Sequence, residues 1–418
     1  MNGSNTLSKV KNPKLAKQGK ISYEWARSHM QILDNTLNRL KKSKPLKGVT
    51  IGFCLHITKE TSVLVMGAKE LGATVALCGG NPLTTQDHVA AFLASQGIHT
   101  YAWNDQTVKE YDWCIEQVLK HKPVLICDDG ADMNVKVHFD KKFKSLNVLG
   151  STEETTAGVT RVRAIEKQGK LKYPVIIVND ADTKHMFDNR YGTGQSTIDG
   201  YLRATGLLFT SKRIVVVGYG WVGRGVAERS RGMGGNVIVT EVDPVKALEA
   251  HMDGFRVMPI AQAAKIGQIF ITCTGMTSVI RKEHLLVMND GAVLGNVGHF
   301  DVEIDTAFLL NKSKSVKEVR PSLDECKLQN GKKIYLIGKG RLANLVAAEG
   351  HPPEVMAQSF SNQILSLLYI YKNHKKIGKK TMVVPKEIDR QIAVDALRAM
   401  DVKIDKLTKE QIKYAESW

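Results

Sequence analysis

The stretch IVVVGYGWVGRGVAERSRGMGGNVIVTE, residues 214–241, decides the fold of this chain. Its first four residues predict a buried strand, and the glycines that follow form G-x-G-x-x-G at the start of a predicted helix. Gly218 permits a tight turn, Gly220 lets the backbone approach a pyrophosphate, and Gly223 lets the helix pack close to the strand. A second strand ends at Glu241, whose carboxylate can accept hydrogen bonds from a ribose diol. The order of these features predicts a βαβ unit that binds a dinucleotide at a helix N-terminus. A carboxylate would repel a 2′-phosphate, so NAD is favoured over NADP; a ligand-free βαβ turn is the alternative.

The length and composition fit a globular protein of two or three domains. The chain has 418 residues, of which 43% are hydrophobic, a share typical of globular proteins. No apolar run reaches the length needed to span a bilayer. The amino terminus, MNGSNTLSKVKNPKLAKQGK, is polar and basic and lacks the apolar stretch of a secretory signal. A cytoplasmic location without membrane attachment is therefore expected.

The charge and the cysteines narrow the possible partners. The formal net charge is +17, with basic runs at residues 9–20, 39–47, 312–333 and 372–380. These runs suit either a polyanion-binding surface or solvated faces, and the second is favoured because no nucleic-acid motif accompanies them. The six cysteines form no C-x-x-C pair and no Cys/His cluster of zinc spacing. We therefore expect buried free thiols, no metal and no nucleic acid.

Strands and helices alternate through most of the chain, which predicts an α/β fold. Continuous β-branched runs between amphipathic helices indicate parallel sheets covered on both faces. We expect two doubly wound, Rossmann-like parallel sheets plus a small carboxyl-terminal tail. Predicted strands lie at 49–55, 74–77, 99–102, 124–127, 175–178, 214–217, 237–240, 269–272 and 292–294. Predicted helices lie at 60–71, 84–96, 107–120, 352–371 and 385–400, with a basic linker at 372–380.

Two polar clusters carry more polar residues than packing needs, and the first follows a predicted strand, where doubly wound sheets bind ligands. His56, Thr58 and Glu60 leave the first strand at a spacing of two, so in extended chain they point to one side. The alternative is a helix cap provided by Thr58. The segment STEETT, residues 151–156, is also explained by a helix cap with acids in the first turn.

A third cluster, NDADTKHMFDN at residues 179–189, places Lys184 and Asp188 four residues apart on one helix face. An exposed ion pair is one interpretation. A lysine whose pKa burial lowers, aimed with a carboxylate at a substrate hydroxyl, is the other. His299 and His351 each follow a glycine at the end of an apolar run, which favours roles in an active site over structural ones.

Long motifs in both halves resemble one family, the S-adenosylhomocysteine hydrolases, from about Ile21 to the carboxyl terminus. The motifs are CLHITKET, NPLTTQDHVAA, CDDGAD, STEETTAGV, VNDADTKHMFDNRYG, GYGWVGRG, GNVGHFDVEID, GRLANL and AAEGHPPEVMAQSFSNQ. The resemblance implies reversible hydrolysis of S-adenosyl-L-homocysteine to adenosine and L-homocysteine, with tightly bound NAD as a recycled oxidant. It implies oxidation of the 3′-hydroxyl, elimination of homocysteine, addition of water and reduction of the ketone.

The resemblance also implies a domain plan and an assembly. Residues 1–180, completed by about 346–375, form a substrate-binding domain, and 181–345 form an NAD-binding domain. Residues 376–418 form an oligomerisation tail, and a homotetramer is expected.

By the same resemblance, residues that match the family's motifs take up its roles. The catalytic residues are His56, Asp132, Lys184, Asp188 and His299. The substrate-binding residues are Thr58, Glu60, Glu154 and His351. The cofactor-binding residues are Thr155, Thr156, Asn189, Gly218, Gly220, Trp221, Val222, Gly223, Glu241, Thr274, Asn296 and Asn344. Asn179 matches a residue that lines the ribose and the cofactor.

Several positions depart from the family's common pattern. Trp221 stands where many members have Asp, Thr193 where many have Cys, and Glu349 where many have Met. The chain ends at Trp418 without the Lys- and Tyr-containing tail of many members, so NAD is expected to be held less tightly or differently. These features resemble the archaeal and thermophilic-bacterial branch, in which some members prefer S-inosylhomocysteine. A carboxylate near the base favours adenine, whose 6-amino group is a donor.

Three rival functions follow from the same residues. An inosyl-specific hydrolase would share the mechanism. A hydroxyacid dehydrogenase would release NADH with each turnover. A regulatory relative would bind NAD without catalysis, but it should lack part of the acid–base set that is present here.

Overall fold

The computed structural model describes residues 8–418, so residues 1–7, the start of the polar amino terminus and of the predicted first domain, lie outside it. The strands, numbered in chain order, are β1 (Lys9–Val10), β2 (Thr50–Leu55), β3 (Thr74–Gly79), β4 (His99–Ala102), β5 (Leu125–Asp128), β6 (Gly150–Glu153), β7 (Val175–Ile177), β8 (Arg213–Val217), β9 (Asn236–Thr240), β10 (Arg256–Val257), β11 (Ile269–Thr272), β12 (Ala292–Asn296), β13 (Ser315–Arg320), β14 (Leu323–Lys327), β15 (Lys333–Ile337) and β16 (Thr381–Val383).

The helices are numbered in the same way. They are α1 (Ala16–Ser28), α2 (Gln31–Lys41), α3 (Lys59–Glu70), α4 (Asp87–Ser95), α5 (Val108–Lys120), α6 (Asp132–Phe139), α7 (Thr156–Lys167), α8 (Asp182–Lys184), α9 (Thr193–Thr205), α10 (Trp221–Gly232), α11 (Pro244–Met252), α12 (Ile260–Ile266), α13 (Lys282–Val287), α14 (Thr306–Lys312), α15 (Ala343–Val346), α16 (Pro353–Ile377), α17 (Lys386–Ala399) and α18 (Lys409–Ala415). A π-helix, His185–Gly192, joins α8 to α9, and short 3₁₀ turns lie at Pro13–Leu15, Val178–Asp180 and Gly338–Gly340.

Two eight-stranded sheets carry the fold, as the sequence predicts. The first has the order β1-β4-β3-β2-β5-β6-β7-β16, and all its neighbouring strands are parallel. The second has the order β10-β9-β8-β11-β12-β15-β14-β13, in which β13, β14 and β15 are antiparallel neighbours. The order in which strands are added reverses between β2 and β5 in the first sheet and between β8 and β11 in the second, although these neighbours are parallel. Such reversal points open a crevice at the carboxyl ends of the strands, and there the polar clusters lie.

The central strands of each sheet are buried because helices cover both faces there. Every residue of β5 is buried, and so is every residue of β11. Thr107 and Glu110 form a capping box that begins α5, and Thr58 caps α3 by accepting the Thr61 backbone N–H at 3.4 Å. These local signals explain why the predicted helix starts are close to the observed ones.

The carboxyl-terminal segment differs from its prediction. The predicted linker at 372–380 is wrong in its first part, because α16 continues through Ile377. Its charged last turn remains helical because lysines are good helix formers and suit a helix carboxyl end. The chain then adds β16, a strand that was not predicted, beside β7 of the first sheet.

Helix α16 belongs to the core of the first sheet although it follows the second sheet in sequence. Phe360 and Ile364 on α16 share one buried cluster with Phe53 and Leu55 of β2. The domain boundaries predicted from the sequence stay a prediction.

Within residues 8–418, the helices are too short or too polar to cross a membrane. All six cysteines are free and buried, as expected.

Candidate functional site

A cavity of about 790 Å³ opens where the carboxyl ends of the two sheets face each other. Among the residues predicted from the sequence, those lining the cavity are His56, Thr58, Glu60, Glu154, Thr155, Lys184, Asp188, Asn189, Val222, His299, Asn344 and His351. The site therefore draws side chains from both halves of the chain.

Two histidines and a carboxylate meet at one end of the cavity. His56 Nε2 lies 3.5 Å from Asp129 Oδ2, and His299 Nδ1 lies 3.6 Å from Asp129 Oδ1. Burial lowers the pKa of each histidine to about 4, so both imidazoles are neutral near pH 7. Burial also raises the pKa of Asp129, although the neighbouring His56 and Lys184 oppose that shift. Neutral imidazoles beside a buried carboxyl group can pass protons to and from a substrate.

The three ligating atoms of this group lie within 4.8 Å of one another, close enough to hold a metal ion. The spacing of residues in the sequence did not predict this grouping, because the three residues are far apart along the chain.

Gly130 leaves space for the ring of His299 in the histidine cluster. Its φ of +99° is a conformation that side-chain-bearing residues rarely adopt, and a methyl group there would collide with the ring of His299. Its backbone N–H donates to Glu153 Oε1 at 2.9 Å. The same Glu153 oxygen accepts the backbone N–H of Thr155 at 3.1 Å, so one buried carboxyl fixes two neighbouring loops.

Asp132 lies outside the cavity in this structure, and its assignment as a catalytic residue stays a prediction. Its carboxylate accepts hydrogen bonds from Tyr111 Oη at 2.9 Å and from Arg161 Nη1 at 2.6 Å. It faces a separate open groove on the other side of His299. Asp132 starts α6, where the helix direction turns its side chain outward, whereas Asp129 directly follows β5.

Lys184 lies at the centre of an acidic group, where α8 gives way to the π-helix. Its Nζ donates to Asn189 Oδ1 at 2.8 Å and lies 3.4 Å from Asp188 Oδ2 and 3.5 Å from Glu154 Oε1. Burial alone would lower the pKa of Lys184, but these carboxyl groups and Asp129 raise it overall. The net change in this pKa is therefore upward, opposite to the expectation, because the lysine is buried together with its counter-charges.

The acidic partners of Lys184 differ in protonation. Burial would raise the pKa of Asp188, but Lys184 and His351 bring it well below its ordinary value. Burial raises the pKa of Glu154 to about 8, against the opposing influence of Lys184. Asp188 is thus ionised and Glu154 protonated near neutral pH, although they share one cation. Gln363 on α16 donates a hydrogen bond to Glu154 Oε2.

Asp188 also organises the opposite wall. His351 Nδ1 lies 2.9 Å from Asp188 Oδ1, and Ser359 donates to Asp188 Oδ2 at 2.7 Å. The other ring nitrogen of His351 lies 3.1 Å from Thr193 Oγ1. His351 was assigned to the nucleobase, and it does line the cavity, but its imidazole is held by Asp188 and Thr193.

Glu60 and Thr58 define the far end of the cavity. Glu60 is 1% exposed, and its Oε1 lies 3.2 Å from Lys59 Nζ as an ion pair. Burial raises its pKa. Thr58 both caps α3 and lines the cavity, so the two interpretations of this residue hold together. A buried carboxyl group is costly without a partner, and Lys59 supplies one at Oε1.

The glycine turn has room for a dinucleotide. Gly218 has a φ of +101°, and a methyl group on Gly223 would collide with the Gly218 carbonyl oxygen, so α10 packs tightly on β8. A methyl group on Gly220 would meet nothing within 4 Å. Glu241 accepts backbone N–H groups of Tyr219, at 2.7 Å, and Val242, at 2.6 Å, which fixes the carboxylate at the end of β9. These features fit NAD: an open turn at a helix N-terminus and a fixed acid for the ribose.

Two of the predicted cofactor contacts, Asn296 and Thr274, make hydrogen bonds within the protein. Asn296 Nδ2 donates to the carbonyls of Gly298, Phe300 and Gly340, and its Oδ1 accepts from Thr272 and from Gly298. Its amide is fully used in shaping the loop that carries His299.

Thr274 donates its backbone N–H and its hydroxyl to Glu303. Both residues support the site through these hydrogen bonds, and their assignment as cofactor contacts stays a prediction. Thr156 lies outside the cavity, where its hydroxyl donates to Asn179 Oδ1 at 3.4 Å, and the Trp221 ring packs 5.1 Å from the ring of His185.

Sequence reasoning assigned no individual role to four residues of the site. Asp129 carried a usable signal, because it follows β5 beside the reversal point of the sheet. Glu153 lies in the polar segment at residues 151–156, which the sequence did single out. Ser359 and Gln363 carried no separate signal, since buried polar residues in a long apolar helix resemble ordinary core positions. Only the packing of α16 against the first sheet brings the last two to the cavity.

Comparisons with known proteins agree in both halves. The family model described as S-adenosyl-L-homocysteine hydrolase matches residues 8–148, and the model described as its NAD binding domain matches residues 189–350. The chain is 55% identical, over 98% of each chain, to an adenosylhomocysteinase of Sulfurisphaera tokodaii. It is 54% identical, again over 98% of each chain, to an adenosylhomocysteinase of Saccharolobus solfataricus. It is also 53% identical, over 98% of each chain, to an S-inosyl-L-homocysteine hydrolase of Methanocaldococcus jannaschii.

Proposed function

Because the chain belongs to the S-adenosyl-L-homocysteine hydrolase family and is an NAD-dependent hydrolase, we propose that its substrate is S-adenosyl-L-homocysteine. The reaction is reversible hydrolysis to adenosine and L-homocysteine. The observation that carries this proposal is one cavity lined by a buried Lys–Asp pair, a His–Asp–His cluster and the buried carboxyl group of Glu60. These three groups suit a sugar hydroxyl, the reacting carbons and a purine, respectively.

Bound NAD would supply transient hydride removal and return at C3′, so the overall hydrolysis is redox-neutral. The residues that would hold it are Gly218, Gly220, Gly223 and Glu241, with Asn189 and Asn344 at the cavity end.

Lys184 and Asp188 would bind the 3′-hydroxyl, and Asp188, the ionised member of the pair, would accept its proton. Lys184 is paired with an ionised Asp188 at 3.4 Å, so a hydroxyl between them meets both a donor and an acceptor. Glu154, protonated at neutral pH, can donate a hydrogen bond to the neighbouring ribose oxygen.

The cluster of His56, Asp129 and His299 would move protons at C4′ and C5′. Cleavage of the C–S bond requires loss of the C4′ proton and protonation of the departing sulfur. Addition of water at C5′ requires the reverse pair of transfers. Two neutral imidazoles that share one carboxyl group can serve both directions.

The adenosyl compound is proposed over the inosyl one because Glu60 is a buried acceptor at the base end. The 6-amino group of adenine donates, whereas the 6-oxo group of hypoxanthine accepts. Because one relative is named S-inosyl-L-homocysteine hydrolase, the inosyl thioether must be tested as well. Comparing kcat/KM for the two thioethers decides, and a large excess for the inosyl compound would overturn the choice.

The mechanism is tested separately by following absorbance at the NADH wavelength during turnover. The proposed reaction gives product without net NADH in solution. Stoichiometric NADH release would instead indicate a dehydrogenase.

We also propose a cytoplasmic homotetramer, assembled partly through residues 376–418. In support, α18 is exposed along its whole length, and Phe187 and Tyr191 of the π-helix expose apolar surface. Light scattering of the full chain and of a chain ending before α18 tests the assembly, and a monomeric full chain would contradict it.

A further inference from the structure

The ammonium group of Lys59 lies against Glu60 from outside the cavity. Lys59 Nζ is 3.2 Å from Glu60 Oε1, and its side chain is 13% exposed. Lys59 is the first residue of α3, which Thr58 caps, so its backbone is fixed at this point. The lysine does not line the cavity, and therefore it acts on the carboxyl group rather than on a ligand.

Glu349 competes for the same ammonium group. Its Oε2 lies 2.9 Å from Lys59 Nζ, closer than Glu60, and its Oε1 lies 3.7 Å from Arg203 Nη1. Gln86 ties the junction together: it accepts the Lys59 backbone N–H at 3.1 Å and donates to the Glu349 carbonyl at 3.3 Å. The loop that carries Glu349 is thus attached to Lys59, the same lysine that pairs with Glu60.

The ionisation of Glu60 depends on this arrangement. Burial raises the pKa of Glu60, and the positive charge of Lys59 opposes that shift. The other charged or titratable groups in the neighbourhood are His351 on the same loop as Glu349, Arg203 on α9 and His88 on α4. Among these, Lys59 is the cation in ion-pair contact with Glu60.

We infer that Lys59 determines whether the site prefers a 6-amino or a 6-oxo purine by keeping Glu60 ionised, and that Glu349 weakens this control by drawing Lys59 away. An ionised Glu60 accepts a hydrogen bond from a 6-amino group and repels a 6-oxo group. A protonated Glu60 can donate to a 6-oxo group. Lys59 is a positioning residue, since it acts through Glu60. The inference rests on the proposed function and adds the residue that tunes its specificity.

The test measures kcat/KM for the adenosyl and inosyl thioethers in the NAD-loaded enzyme. Lys59→Met should lower the adenosyl-to-inosyl ratio about tenfold or more, because the neutral side chain lets Glu60 keep its proton. Lys59→Gln is a second neutral variant if the first does not fold. Lys59→Arg keeps the charge and should keep the ratio near the wild-type value.

Glu349→Gln provides a change of opposite sign. It leaves Lys59 to Glu60 alone, so the adenosyl-to-inosyl ratio should rise. Lys69→Met, near the other end of α3, is the matched control and should leave the ratio unchanged. Dissociation constants of adenosine and inosine, measured by calorimetry, should change in the same directions as the kinetic ratio.

A merely structural junction would alter both substrates alike. A ratio that stays constant in both neutral Lys59 variants overturns the inference, and so does a ratio that moves in one direction in the Lys59 and Glu349 variants. If the wild-type enzyme hydrolyses neither thioether, the proposed function fails first, and the two failures are therefore distinguishable.

Discussion

Replacing Gly220 by alanine should separate cofactor binding from folding. In the protein without ligand, a methyl group at this position meets nothing within 4 Å. The backbone there has φ −72° and ψ −167°, an extended conformation that alanine adopts freely. Alanine stabilises such a site by about 0.4–1 kcal/mol through the unfolded chain. Alanine is also a poorer helix N-cap, which lowers the stability by a similar amount, about 0.5–1 kcal/mol. The expected change in unfolding free energy is therefore close to zero.

NAD binding should respond quite differently to the same substitution. The open space at Gly220 is where the pyrophosphate would approach the backbone. A methyl group forced into a packed contact costs about 1–3 kcal/mol. This corresponds to a dissociation constant for NAD that is about 5- to 150-fold larger. Calorimetric titration of NAD into the stripped protein measures this change, and urea unfolding of the same preparation measures stability.

Gly223→Ala is the matched comparison. Its methyl group would collide with the Gly218 carbonyl oxygen, so α10 must move off β8. This variant should lose about 1–3 kcal/mol of stability before any cofactor is added. Wild-type NAD affinity in Gly220→Ala would refute the assignment of the open turn to the cofactor. Equal destabilisation of the two variants would refute the packing argument.

Further predictions concern the proton-handling residues. Asp129→Asn should lower kcat about 10²- to 10⁴-fold, and Asp132→Asn should do so much less, since only Asp129 touches both histidines; the reverse order in steady-state kinetics would return Asp132 to the active site. Lys184→Ala should abolish the transient NADH absorbance seen when NAD-loaded enzyme meets adenosine in a single turnover, and persistence of that signal would contradict its role at the 3′-hydroxyl. The folded state holds a proton on Glu154 up to a pKa of about 8, against 4.5 ordinarily, whereas the unfolded chain loses it. Stability without ligand should therefore fall as pH rises from about 5 to 8, by up to about 1.4 kcal/mol per pH unit for this group, and Glu154→Gln should remove that part of the slope in urea titrations. Identical slopes in the two proteins would show that Glu154 is already ionised in the fold.

The sequence predicts the two parallel sheets well because their signals are local. Apolar strand runs, capping residues and the glycine turn at Gly218 each act over a few residues. The hairpin of β13 and β14 was not predicted, since its outer strand β13 is exposed along its whole length and lacks an apolar pattern.

The candidate site was predictable where residues lie just after a strand. His56, Lys184 and His299 fall into this group, and each reaches the cavity. The direction in which a side chain points from a loop was harder to predict. Asp129 and Asp132 share one motif, and the start of α6 decides which of the two faces the cavity.

Protonation could not be predicted from types of residue alone. Lys184 and Glu154 are buried together, so their pKa values depend on distances that no spacing in the sequence gives.

The position of β16 has a consequence for how the chain folds during synthesis. This strand pairs in parallel with β7, and the whole second sheet lies between them in sequence. The second sheet is contiguous and can form as soon as its own residues have left the ribosome. The first sheet starts earlier but must wait for α16 to fill its core and for β16 to cover its edge. The half that begins at the amino terminus is therefore the last to be completed, and until then its β7 edge is open to pairing with other chains.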